Sequence, residues 1–144
     1  MFTRTQQGSD RLAQWRQFRQ RTDITTAEQV VEAFASTPLD QRYLDYYTPA
    51  TWPNVFQIVE EGLLCQSGLT LVMASTLHYF NIMKTDQIHL HAISNHTNGD
   101  AGLVLVDHGK VYNFIPGHIV TEQYLLDNST CYDKHVITTD KLYS

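Results

Sequence analysis

The chain is predicted to fold as an α+β protein, helices first and an antiparallel sheet second, and three observations carry that expectation. Apolar residues recur at helical spacing through most of the chain up to Asn81. From Ile88 the pattern changes, and Ile88, Leu90 and Ala92 alternate with His89, His91 and Ile93 in the two-residue period of a strand. Then Asp107-His108-Gly109 divides two runs rich in β-branched residues, Gly102–Val106 and Lys110–Ile115, as a hairpin turn does.

Each element follows from local signals. Leu12, Trp15 and Phe18 put one apolar stripe on residues 9–21, with Ser9 or Asp10 near the cap. That stripe requires a body to pack on, since three large exposed apolar groups would form a sticky patch. Thr25-Thr26-Ala27-Glu28 reads as a capping box, and Ala27, Val30, Val31 and Phe34 follow on one face until Ser36-Thr37-Pro38. Residues 39–47 are predicted to make a helical turn or two, with Leu39, Tyr43 and Tyr46 or Tyr47 inward. Thr51-Trp52-Pro53-Asn54 places a cap candidate and a first-turn proline at the start of another helix, buried through Val55, Ile58 and Val59 and stopped at Gly62. A central helix opens at Cys65 and carries Leu69, Val72, Met73, Thr76 and Phe80. Beyond the hairpin, Pro116-Gly117 closes a strand, residues 121–126 suit a short helix, and residues 135–139 a last edge strand.

At 144 residues, 42% hydrophobic and 17% charged, the chain suits one domain with a buried core. Within residues 1–144, 1–21 read as a basic helical arm and 52–117 as the helix-plus-sheet core. No apolar run reaches the roughly 18 residues of a membrane span, and the N-terminus lacks the apolar stretch of a signal peptide. The expected setting is the cytoplasm, with no membrane partner. Cys65 and Cys131 are then free thiols, and the two Asn-X-Thr triplets at Asn95 and Asn128 carry no sugar. The net charge of −5 is uneven: the first 21 residues hold five arginines against Asp10, leaving −9 for the rest. An acidic body disfavours nucleic acid, whose phosphates demand dense Lys/Arg patches. A protein or peptide partner fits better, or the arm rests on its own acidic body.

Among chemistry-bearing residues, Cys65 opens a helix, where backbone N–H groups favour a thiolate; the bland alternative is a small buried hydrophobe. Cys131 lies in a polar segment with less claim. His89 and His91 share one strand face and could bind a metal with His96 or Asp100, but a His-X-His pair on a half-exposed strand is more often solvated. No metal or cofactor is expected.

The stretch Trp52–Gly117, with Gly62-Leu63-Leu64-Cys65-Gln66-Ser67-Gly68 and Lys110-Val111-Tyr112-Asn113-Phe114-Ile115-Pro116, resembles the core of the transglutaminase-like, papain-related superfamily. The resemblance implies Cys65 as nucleophile and Asn113 as the residue that orients a histidine. Where the family has that histidine, Gly99-Asp100-Ala101-Gly102 offers Asp100, which cannot take the thiol proton and return it to a leaving amine. Either His96 reaches in from the preceding loop, or His91 from the neighbouring strand, or the site has no activity. With a histidine in place, the chemistry would be amide hydrolysis or acyl transfer through Cys65. Without one, the same fold would serve as a binding or structural module. The shortness of the chain and the aromatic turns at Tyr43, Tyr46, Tyr47 and Trp52 would also suit a small protein of a tailed phage.

Overall fold

The computed structural model describes all 144 residues, Met1–Ser144. Helices α1 (Gly8–Arg19), α2 (Ala27–Phe34), α3 (Val55–Glu61) and α4 (Gln66–Tyr79) precede strand β1 (Gln87–Asn95) and the hairpin β2 (Ala101–Asp107) and β3 (Lys110–Ile115). A short strand β4 (His118–Thr121), helix α5 (Glu122–Asn128), strand β5 (Ser129–Thr138) and a final turn of helix α6 (Thr139–Tyr143) complete the chain. The five strands form one antiparallel sheet in the order β4-β3-β2-β1-β5. The α+β expectation holds, helix-first order included, and no helix is long and apolar enough to cross a membrane.

Alternation along β1 divides the interior in two. Ile88, Leu90 and Ala92 join the larger core with α4, which is buried on nearly every side from Ser67 to Leu77. Ile93 faces the other way and packs with Val104, Val106, Val111, Phe114 and Leu125 beneath α5. The basic arm is part of the larger core: Trp15 and Phe18 are buried, and the Trp15 indole N–H donates to Thr76 Oγ1 at 3.0 Å. Part of its charge is committed as well, through Arg11. Arg11 donates to the carbonyls of Val59 (2.7 Å) and Glu60 (2.5 Å), and Arg42 donates to those of Glu61 (2.9 Å) and Gly62 (3.2 Å). Two guanidiniums thereby satisfy the last carbonyls of α3, the negative end of that helix. Arg19 lies over the Trp15 ring at 4.0 Å.

Several local readings change in detail. The cap of α2 is Thr26, paired with Gln29, in place of Thr25 with Glu28: Thr26 Oγ1 accepts the Gln29 N–H, and Gln29 Oε1 accepts the Thr26 N–H. Helix α1 starts at Gly8 with Gln7 as its cap position. Residues 39–47 form no helix; Leu44 alone is buried there, while Tyr43 is 87% exposed. Without the inward apolar face, nothing repays the cost of ordering a helical turn. Strand β5 begins at Ser129, six residues before the expected edge strand, and pairs with β1 throughout.

The hairpin turn is as expected, with Asp107 opposite Lys110 and both turn residues left-handed, His108 at φ +48° and Gly109 at φ +83°. Gly109→Val should therefore destabilise the protein by about 1–3 kcal/mol, because a β-branched residue resists that conformation. Urea denaturation would measure the loss, and an unchanged midpoint would contradict the turn assignment.

Candidate functional site

Cys65 is the N-cap of α4, 7% exposed, and its Sγ accepts the Gly68 N–H at 3.4 Å. Gly68 is required by close packing: a Cβ there would lie 2.0 Å from the Leu63 carbonyl oxygen. The link from α3 therefore folds tightly over the first turn of α4 and fixes where the thiol points.

That first turn is fastened to the sheet by polar side chains at successive helical positions. Ser67 Oγ accepts the Leu103 N–H of β2 at 3.0 Å, and the Thr70 hydroxyl lies 2.8 Å from the Leu103 carbonyl. Between α4 and β3 the bonds are reciprocal: Gln66 Nε2 donates to the Asn113 carbonyl at 3.2 Å, and Asn113 Nδ2 donates to the Gln66 carbonyl at 3.1 Å and to Thr70 Oγ1 at 2.8 Å. Asn113 reaches α4 because its backbone is left-handed, φ +66°, and the β3–β4 register shifts there. The bulge turns Asn113 toward the same helix as its neighbour Tyr112, which is part of the larger core. Asparagine accepts this conformation more readily than most residues.

A cleft of about 910 Å³ opens beside the thiol, between the 39–46 segment, the start of α4 and the β1–β2 loop. Its walls are Leu39, Asp40, Gln41, Tyr43, Leu44, Tyr46, Cys65, Gln66, Ser67, Gly99, Asp100 and Ala101. Cys65 and Asp100 thus line the same cleft. Hydrogen bonds from Arg42 hold the Asp40 carboxyl below the usual carboxylate range. The Asp100 carboxylate, by contrast, enters none of the ion pairs of the chain.

No histidine lines this cleft. His96 is exposed and turned toward β5, its Nε2 2.8 Å from Thr130 Oγ1 and its backbone N–H on the Asn128 carbonyl. His91 is corrected outright as a partner for Cys65. It alternates with the Leu90 and Ala92 that pack on α4, so it faces the α5 side of the sheet, between Val104 and Lys134. Asn113 spends its amide N–H groups on Gln66 and Thr70 and orients no imidazole. Nor do His89, His91, His96 and Asp100 converge: no group of three or more His, Cys, Asp or Glu side chains is placed to hold a metal ion.

Gln66, Thr70 and His135 escaped the sequence reading. Gln66 and Thr70 are spaced four apart on one helix face, a polar pair inside an apolar pattern, which was a readable signal. His135 donates from Nε2 to the Tyr46 carbonyl at 2.8 Å and meets the Trp52 ring edge-on at 5.8 Å, tying the cleft segment to β5. No family model, curated protein or solved structure matches this chain.

Two outcomes follow. Asn113→Gly keeps the backbone but removes the amide, and should cost about 1–3 kcal/mol; Asn113→Val adds strain and should cost more. Equal stability of Asn113→Gly and the parent in urea would contradict the reciprocal bond. His91 is held below its ordinary value, by burial first and by Lys134 second. Below about pH 6.5 the unfolded chain then binds more protons at this position, so stability falls as pH drops through that window. His91→Gln should lose less stability between about pH 7 and about pH 5.5 than the parent, measured by denaturation at both; identical losses would contradict the assignment.

Proposed function

We propose that this chain is a binding module built on a transglutaminase-like helix-and-sheet core, and that its cleft holds a ligand without cleaving it. The supporting observation is the composition of the Cys65 cleft, which contains a buried thiol, two carboxylates and no imidazole. Acyl transfer through a thiol needs a base to remove its proton and an acid to protonate the leaving group. Asp100 supplies neither near neutral pH, and Asn113 is committed to α4. The size of the cleft, about 910 Å³, lies within the range of ligand sites, and its mixture of tyrosine, leucine and polar lining suits a small molecule or a peptide segment.

The rival reading, a cysteine hydrolase or acyltransferase, draws on one feature: the Cys65 sulfur at a helix start with the Gly68 N–H turned on it. The two readings part on thiol chemistry. A binding module exposes Cys131 and shields Cys65. At about pH 6, a thiol-directed electrophile should therefore label Cys131 first and Cys65 slowly, and Cys131→Ala should remove most of the labelling. Faster labelling of Cys65 than of Cys131, abolished by Cys65→Ala, would overturn the binding reading in favour of the enzyme.

A further inference from the structure

A smaller cavity of about 160 Å³ adjoins the Cys65 cleft, since Leu39, Gln66 and Asp100 line both. Its apolar wall comes from Phe34 of α2 and from Leu69 and Met73 of α4. Its polar lining is Thr37, Asn95, Asn98 and Asp100 together with the two amides that join α4 to β3, Gln66 and Asn113. Both amides have a fixed orientation, because each NH2 group donates to a backbone carbonyl, which can only accept. Gln66 Oε1 and Asn113 Oδ1 are thus left as acceptors that receive no hydrogen bond from the protein, although Asn113 is only 8% exposed. The Asp100 carboxylate is likewise unengaged: Asp100 bonds through its backbone, its N–H donating to Asn98 Oδ1 and its carbonyl accepting from Asn95. Asp100 is the one charged residue of this lining, and with the two unengaged amide oxygens beside an apolar wall it selects for a ligand that brings donors and positive charge.

We propose that this pocket binds a primary ammonium joined by a short linker to an apolar group of ring or leucine size. The inference rests on the binding-module reading and names the ligand class for it. An ammonium brings three N–H donors and a charge opposite to that of Asp100. The volume is close to the roughly 150 Å³ of a cavity that admits benzene, which sets the size of the apolar group. Two sources share this chemistry: a free arylalkylamine, and the N-terminal residue of a peptide with a large apolar side chain.

The test is a titration followed by NMR shifts of the Met73 methyl and the Gln66 and Asn113 side-chain amides. The probes are 2-phenylethylamine, its neutral counterpart 2-phenylethanol, phenylalanyl-alanine amide and the N-acetylated form of that dipeptide. The ammonium probes should bind roughly fivefold or more tightly than their neutral counterparts, and Asp100→Asn should erase that advantage. Binding by the dipeptide amide identifies a peptide N-terminus as a source, and binding by the small amine alone identifies a free amine. Equal binding of charged and neutral probes, or no saturable shift with any of them, would overturn the proposal. Assaying the same samples for release of alanine amide from both dipeptides separates the two failures. Cys65-dependent hydrolysis contradicts the binding module itself, whereas absent hydrolysis with no ammonium preference contradicts only the ligand class.

Discussion

The exchange of side-chain amides between Gln66 and Asn113 is the constraint on which the geometry of the site depends. It joins the first residue of α4 to the bulge of β3 through two bonds to backbone carbonyls, and Thr70 closes the set from one turn further along. Ser67 adds a bond to β2 from the same turn. Buried polar bonds of this kind gain little net stability when made but cost more when broken, so they specify one arrangement of helix against sheet. The position of Cys65, the adjoining cavity and the unengaged acceptors are consequences of that arrangement.

The rest of the fold holds this joint in place from outside. Helix α4 is enclosed by the sheet on one side and by α1, α2 and α3 elsewhere, with Trp15, Phe34, Ile58 and Leu77 all fully buried. Arg11 and Arg42 grip the end of α3 just before the link that leads to Cys65. The apolar stripe of the basic arm and its Arg11 are spent on its own domain. The cleft side is different: the 39–47 segment contributes one buried residue, Leu44, and is tied down through the bond from His135 to Tyr46. A segment with so few buried apolar contacts belongs to the low-stability end of the structure, which suits the wall of a site that must admit a ligand.

What was legible in the sequence was local. The Gly62 stop of α3, the opening of α4 at Cys65, the alternation of β1 and the turn at Gly109 each depend on chemistry within a few residues, and each is where it was expected. Alternation put His89 and His91 on one face, but not which layer that face meets, and this decided against His91. The left-handed backbone at Asn113 had no sequence mark, since asparagine adopts both conformations, and with it the reciprocal bond stayed hidden. Strand β4 is four residues long, and β5 is polar and exposed along most of its length, so neither shows the alternating burial that marks a half-buried strand. Tyr43 was misread for the opposite reason: an aromatic residue suggested an inward face where the chain offers a cleft wall.

The central claim is that no histidine serves the thiol, and that the Asn113 amide is committed to α4 instead of to an imidazole. The most direct measurement is the set of seven histidine ring resonances compared between the parent chain and Cys65→Ser by two-dimensional NMR across the neutral pH range. The account predicts that all seven titrate unchanged, His96 and His91 included. A shifted ring resonance or an altered titration at either of them would place an imidazole at the sulfur and contradict it.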